Sequence, residues 1–177
     1  MPHDYTLRAG QGAARFCLLF RVIAGFVFAL VLGAGAAAAC PDDRVSGQVL
    51  EVDGETLLTP QEFDIVAGGD AALSDCPGMG MQGAAGVAGL FRTAPDFTLN
   101  LAKMNEYSLA VSVKSHCDTM LLISGPTMSP YFDDDDNGDL NPRIVLTRVP
   151  DGYVNVWVGT IDGAACDARL RLQTSLR

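Results

Sequence analysis

The segment Ala168–Arg177, ARLRLQTSLR, alternates apolar and polar side chains at every second position. A period of two is the pattern of a β-strand with one buried face and one solvated face. We therefore predict that this segment is a strand at the surface of a β-sheet. The buried side would carry Leu170, Leu172, Thr174 and Leu176, and the solvated side Arg169, Arg171, Gln173 and Ser175.

Seven further segments between residues 45 and 161 have strand character. They are VSGQVLEV (45–52), FDIVAG (63–68), FTLNLA (97–102), YSLAVSVKS (107–115), TMLLISG (119–125), RIVLTRV (143–149) and VNVWVGTI (154–161). Short turn sequences separate them, such as VPDGY at Val149–Tyr153, where Pro and Asp-Gly favour a tight connection. This spacing predicts an all-β fold, an antiparallel β-sandwich of the jelly-roll type with about eight strands.

The first 39 residues have the composition of a secretory signal peptide. A leader with three arginines precedes the apolar run Val22–Leu32, and the small residues Gly33–Ala39 follow with Ala-x-Ala sites. The alternative is an uncleaved anchor, because Val22–Ala39 is close to the shortest length that spans a bilayer. We predict cleavage, an exported protein in the periplasm or secreted, and a single domain over residues 40–177.

Charge limits the classes of partner. The chain has 12 Lys and Arg and 21 Asp and Glu. Residues 1–39 contain three of the former and one of the latter, so residues 40–177 carry nine cations, 20 anions and a net charge of −11. Nucleic acids and anionic membrane surfaces are polyanions, and both are disfavoured as partners.

Four cysteines follow residue 39: Cys40, Cys76, Cys117 and Cys166. An even number in a small exported chain predicts two disulfides, for which three pairings are possible. We favour Cys40 with Cys76, which ties the new N-terminus to the loop before the glycine-rich segment Pro77–Leu90. Cys117 with Cys166 would then tie the middle of the domain to the start of the last strand.

Cys40 has a second interpretation, as the lipidated cysteine of a bacterial lipoprotein. Ala37 stands three residues earlier, where a large aliphatic residue is usual. Lipidation would also leave an odd number of cysteines. The disulfide is therefore favoured, and the predicted membrane contact is limited to the signal or to a lipidated Cys40.

The segment DDDDNGD at Asp133–Asp139 is a candidate cation site. It begins like a helix–loop–helix calcium loop, but the twelfth position is Ile144 instead of a bidentate Glu, so that motif fails. A calcium site in a β-loop remains open, because calcium binds six to eight oxygens. The predicted ligands are Asp133, Asp135, Asn137 and Asp139; the alternative is a solvated acidic turn.

Other candidate site residues are few. His116, the sole histidine after residue 39, lies beside Asp118, but no G-x-S-x-G elbow accompanies it. Trp157 lies on the face of its strand opposite Val156 and Val158, where it either packs or forms a ligand-binding patch with Tyr153.

The segment CDTMLLISGPTMSPYFDDDDNGDLNPRIVLTRVPDGYVNVWVGTI, residues 117–161, resembles the bacterial pre-peptidase C-terminal domains. The shared pattern is an apolar strand ending in Gly-Pro, an aromatic residue, an Asp-rich turn, Leu-Asn-Pro and a Tyr-Val-Asn-Val-Trp-Val-Gly-Thr strand. The resemblance implies a jelly-roll sandwich that accompanies secreted peptidases, and some relatives bind calcium or matrix polymers. No peptidase domain is recognisable within these 177 residues, and function resides in sites instead of folds.

The prediction for function is an exported, non-catalytic binding or accessory module whose partner is an extracellular or envelope protein or polymer. Calcium bound at the acidic turn would stabilise it. The alternatives are a lipid-anchored envelope protein and a hydrolase of unknown type that uses His116 with Asp118.

Overall fold

The alternating segments form two β-sheets that enclose a shared apolar core. The computed structural model describes residues 40–76 and 89–177. The predicted signal peptide, residues 1–39, and most of the glycine-rich segment lie outside these ranges. The strands are β1 (Gln48–Asp53), β2 (Gln61–Ala67), β3 (Ala71–Ala72), β4 (Leu90–Phe91), β5 (Phe97–Ala102), β6 (Tyr107–Ser115), β7 (Thr119–Gly125), β8 (Met128–Asp133), β9 (Arg143–Leu146), β10 (Gly152–Thr160) and β11 (Cys166–Leu176).

All eight predicted segments contribute strands, and the all-β sandwich is confirmed. The first sheet has the order β1-β5-β10-β7-β8, with β4 paired to the end of β10 and β3 paired to β4. The second sheet has the order β2-β11-β6-β9. Three strands were not predicted: β3 and β4 are two residues long, and β8 contains Pro130, which is compatible only with an edge strand.

One pairing departs from the antiparallel pattern. β1 runs parallel to β5, in register from Gln48 opposite Phe97 to Asp53 opposite Ala102. Parallel neighbours require a crossover connection. Here the chain leaves the first sheet after β1, forms a short 3-10 helix (Thr56–Leu58), adds β2 to the second sheet and then returns.

The second sheet is assembled around β11 as its alternation predicts. Leu170 and Leu172 are fully buried and pair in register with Val113 and Val111 of β6. Leu176 is the exception on the apolar side, since it is 68% exposed in the last residue pair of the sheet. The outward positions of β11 face solvent, and they become one side of the groove described below.

β7 is buried on both faces, as its continuous apolar sequence predicts. Leu121 and Ile123 point into the main core between the sheets. Met120 and Leu122 point the other way, into a second cluster that β4 and the 3-10 helix Leu73–Asp75 cover. Because β7 has apolar residues at consecutive positions, it packs against one apolar cluster on each of its two faces.

Both predicted disulfides are present. Cys40 is bonded to Cys76 with 5.7 Å between the Cα atoms, and Cys117 to Cys166 with 6.5 Å. Cys40 in this bond has no free thiol to carry a lipid. Within residues 40–76 and 89–177, no helix has the length and apolar character needed to cross a membrane.

Candidate functional site

Trp157 is a core residue, which corrects its interpretation as part of a ligand-binding patch. It is fully buried in the second cluster, against Phe91 and Leu122, and its Nε1 donates to the carbonyl of Thr93 at 3.4 Å. The sequence places it on the outward face of β10, but β4 and the 3-10 helix Leu73–Asp75 cover that face. Four residues earlier on the same face, Tyr153 is 57% exposed, so the two aromatic rings do not share a surface.

Tyr153 stays a candidate by itself. It borders a shallow cleft of about 320 Å³ together with Arg44 and Pro126. A buried hydrogen-bond chain forms the floor, in which Thr98 donates to Asn155 Oδ1 at 2.6 Å and Asn155 donates to the carbonyl of Asp43 at 2.9 Å. The Thr98 hydroxyl and the Asn155 amide are therefore already hydrogen-bonded within the protein. Their bonds hold the segment around Asp43 against the first sheet.

The acidic turn is organised by its own hydrogen bonds. Asp133 Oδ2 accepts from the backbone N–H groups of Arg143 at 2.6 Å and Asp136 at 3.3 Å. Asn137 donates its Nδ2 to the carbonyl of Val113 at 2.8 Å, which ties the turn to β6. Two of the four predicted cation ligands are therefore already engaged in holding the turn.

Asn141 is the buried residue that holds this turn in place, a role that the sequence alone does not predict. Its Oδ1 accepts from the backbone N–H of Ser115 at 2.8 Å and from the hydroxyl of Thr119 at 3.2 Å. Its Nδ2 donates to the carbonyl of Asp139 at 2.8 Å. Gly138, Asp139 and the residue after them have φ values of 78°, 53° and 59°, a left-handed run that costs energy for non-glycine residues. The Asn141 side chain offsets that cost.

The carboxylates of the turn do not converge on one point. In the described part of the chain, one set of three His, Cys, Asp or Glu side chains has its ligand atoms within 4.8 Å of one another: His116, Cys117 and Cys166. The two cysteines are disulfide-bonded, so their thiolates are not available to a metal. Burial, followed by the neighbouring carboxylates of Asp135 and Asp133, raises the pKa of Asp134. A calcium ion would have to draw the turn's oxygens together.

His116 contacts the disulfide and not a catalytic partner. Its Nε2 lies 3.8 Å from Cys166 Sγ. The neighbouring hydroxyl of Ser115 donates to the carbonyl of Asp167 at 2.9 Å. Over residues 40–76 and 89–177, no hydrogen bond joins His116 to Asp118. The pair proposed for a hydrolase is therefore not assembled.

A groove of about 570 Å³ crosses the outer face of the second sheet. Four cationic side chains line it, out of the nine that follow residue 39. The strand register brings them together: Arg171 of β11 pairs with Ser112 of β6, which pairs with Arg143 of β9. One step along, Arg169 pairs with Lys114. Adjacent strands lie ~4.8 Å apart and side chains on one face of a strand lie ~7 Å apart, so these cations share one surface.

The cations differ in how they are paired. Arg169 lies 3.0 Å from a carboxylate oxygen of Asp64 and 3.7 Å from Glu62, and Arg171 lies 3.5 Å from Glu62. Among the residues that the structure describes, no carboxylate lies within 4.0 Å of the amino group of Lys114 or the guanidinium of Arg143. The groove therefore has a neutralised side along β2 and β11 and a cationic side along β6 and β9.

The turn closes one end of this groove. Asn137, Gly138 and Asp139 line it beside Arg143. A Cβ atom added to Gly138 would meet no atom within 4 Å, so Gly138 itself faces solvent. The alternation along β11 predicts that Arg169 and Arg171 face solvent, but a strand pattern does not predict that Lys114 and Arg143 lie beside them. The sequence feature that could have indicated this groove is the presence of cations on the polar sides of separate strands in an otherwise acidic chain.

Comparisons with known proteins gave structural matches only. No family model matches the chain, and no curated protein matches it. Among solved structures it is similar to PliG of Aeromonas hydrophila, a periplasmic lysozyme inhibitor of g-type lysozyme, with 11% identity, a TM-score of 0.37 and coverage of 73% of this chain and 100% of that one. PliG of Salmonella Typhimurium, also an inhibitor of g-type lysozyme, has 12% identity, a TM-score of 0.37 and the same coverage.

A third match is the pre-peptidase C-terminal domain of collagenase from Bacillus anthracis. It has 12% identity and a TM-score of 0.38, with coverage of 73% of this chain and 96% of that one. This domain belongs to the family that residues 117–161 resemble.

Proposed function

We propose that this protein is an exported, non-catalytic β-sandwich module that binds another protein in the periplasm or outside the cell. The observation that carries the proposal is the groove on the outer face of the second sheet. A rigid sheet forms its floor, the Cys117–Cys166 disulfide fixes the adjoining strand ends, and Asn137 and Asn141 hold its end wall. A preformed polar surface of this kind lowers the ordering cost of binding.

Export is supported by the sequence and by the disulfides. The basic leader, apolar run and small residues before Cys40 have the composition of a cleaved signal. Disulfides form and persist in oxidising compartments such as the periplasm and the extracellular space. A mature N-terminus at Cys40, measured by mass spectrometry after reduction, is the expected result.

Binding is favoured over hydrolysis because the candidate catalytic groups have other partners. His116 lies against the disulfide, and Ser115 donates to a backbone carbonyl. The finer part of the proposal is that calcium stabilises the acidic turn through Asp133, Asp135, Asn137 and Asp139. Its support is four oxygen-bearing side chains within seven residues.

Site-specific cross-linking tests the binding function. The full chain is expressed with a photoreactive benzophenone residue at Gln173, which lines the groove, or at Ser74, which is exposed outside it. The oxidised protein is recovered and illuminated with the exported proteins of its native host. We expect a discrete cross-linked product at Gln173 and none at Ser74. The same products at both positions, or none at either, would overturn the proposal.

A further inference from the structure

We propose that the groove binds a short acidic segment of a partner protein, with Lys114 and Arg143 as the contacts for its carboxylates. This inference rests on the proposed function and assigns the chemistry of the ligand. The site consists of two unpaired cations on adjacent strands, beside two arginines that acidic residues of β2 already hold in position.

The first step concerns the charge of the ligand, which we infer to be negative. Residues 40–177 carry a net charge of −11, yet four of their nine cations line one groove. Lys114 and Arg143 are exposed, and within the described ranges neither forms an ion pair with a carboxylate, although Asp139 lines the groove beside Arg143. A carboxylate placed between them gains charge-assisted hydrogen bonds from both.

The second step concerns orientation. Glu62 pairs with Arg171, and Asp64 pairs with Arg169, on the β2 side of the groove. These acids repel a bound carboxylate and direct it toward β6 and β9. They also pair with the guanidinium groups of Arg169 and Arg171, so the contacts left for a ligand are Lys114 and Arg143. Asp139 lines the end of the groove beside Arg143 and repels an anionic segment there.

The third step separates a protein segment from other polyanions. Nucleic acids and acidic polysaccharides present long rows of charge that extend past the groove, where they meet and are repelled by the acidic remainder of the surface. A short segment senses the local cations instead, because charges beyond the Debye length of about 8 Å are screened at physiological salt. None of the groove residues is aromatic, so the surface offers no ring on which a sugar could stack.

Fluorescence anisotropy with labelled octaglutamate tests this assignment. The protein is the full chain, expressed, exported and recovered with its disulfides intact. The groove variant combines Lys114→Glu and Arg143→Glu. Its matched control combines Arg148→Glu and Arg177→Glu, two exposed cations that do not line the groove, so both variants change the net charge equally. Circular dichroism and the thermal midpoint check that each variant folds.

We expect the parent to bind octaglutamate more tightly than octalysine, in spite of its net charge. The groove variant should bind octaglutamate at least about tenfold more weakly, and the control about as tightly as the parent. Raised salt should weaken the parent's binding. Equal weakening in both variants would refute the assignment, because the interaction would then follow net charge alone.

Other occupants give distinct results. Tighter binding of polygalacturonate than of octaglutamate would assign the groove to a polysaccharide and overturn the proposal. A dimer seen by sedimentation without peptide, and lost in the groove variant, would assign it to the acidic turn of a second copy. If Gln173 cross-links to a partner but octaglutamate does not bind, the ligand chemistry fails and the binding function stands. If neither occurs, both fail.

Discussion

Asn141 Oδ1 accepts a hydrogen bond from the backbone N–H of Ser115 at 2.8 Å, across 26 residues of chain. This bond joins the end of the acidic turn to the end of β6, and so fixes one wall of the groove to its floor. Asn141 is 3% exposed and uses both ends of its amide.

Replacing Asn141 with Ala should lower the free energy of unfolding by about 2–3 kcal/mol. The N–H of Ser115 would lose its partner near the buried core, and an unpaired buried donor costs about 1–3 kcal/mol. The left-handed residues before Asn141 would lose their support as well. Urea unfolding measures the change. The control is Asn100→Ala, since Asn100 Nδ2 bonds to Glu51 at an exposed site and should matter by less than about 1 kcal/mol. Equal effects of the two substitutions would contradict this account of Asn141.

Ionisation of Asp96 should make the free energy of unfolding depend on pH in the acidic range. Its side chain is 5% exposed, accepts from the N–H of Val158 at 2.7 Å and pairs with Arg92 at 2.8 Å. Burial dominates these contacts and raises the pKa of Asp96 above its ordinary value of 3.8. The folded state therefore holds this proton more tightly than the unfolded state. The contribution of Asp96 is fully present below pH 3.8 and is lost as the pH rises through the raised pKa.

The measurement is the free energy of unfolding against pH for the parent and for Asp96→Asn. The amide keeps an acceptor for Val158 and cannot ionise, so the difference between the two proteins isolates this group. The parent should lose stability relative to the variant as the pH rises above 3.8. Asp70→Asn, at an exposed position, is the control. A parent that instead gains stability relative to Asp96→Asn over that range would show that the sign is wrong.

Trp157→Ala should destabilise the fold by about 3–5 kcal/mol, because it empties a large volume in the second core cluster. The exposed Tyr153 provides the comparison, and Tyr153→Ala should change the stability by about 0.5 kcal/mol or less. Thermal or urea unfolding distinguishes the two. Similar small effects at both positions would restore the interpretation of Trp157 as a surface residue.

These residues show what a single sequence can and cannot predict here. Alternation along β6 and β11 predicts which side chains point outward, because that depends only on the local geometry of a strand. The burial of Trp157 depends on Leu73 and Phe91, which lie in a three-residue 3-10 helix and a two-residue strand, too short to leave a periodic pattern. The hydrogen bond between Asn141 and Ser115 likewise joins residues that are 26 positions apart in the sequence.

The groove can be predicted from the sequence only in part. Its cations Arg169 and Arg171 are predicted to face solvent from sequence alone. Arg143 joins them only because β9 pairs with β6, with Ser112 opposite Arg143. Strand order within a sheet is a long-range property that a period of two does not determine. A site made of side chains from three strands is therefore found only when the register is known.

Calcium should raise the thermal midpoint if the acidic turn binds it. The pKa of Asp134 is raised by burial and by the carboxylates of Asp135 and Asp133, which indicates that negative charge is crowded there. A cation would relieve that repulsion and stabilise the folded state by about 2.7 kcal/mol at a hundredfold excess over the dissociation constant. The measurement compares chelator, calcium and magnesium with the oxidised protein.

The variant that tests the ligand set combines Asp135→Asn and Asp139→Asn. It leaves untouched the Asp133 carboxylate, which already accepts from the backbone of Arg143, so the turn should keep its shape. We expect this variant to lose the response to calcium while retaining its stability in chelator. A rise that persists in full in the variant places calcium elsewhere, and an equal rise with magnesium indicates general screening of charge. No rise in the parent would leave the turn as a solvated wall of the groove, held by Asn137 and Asn141 without a metal.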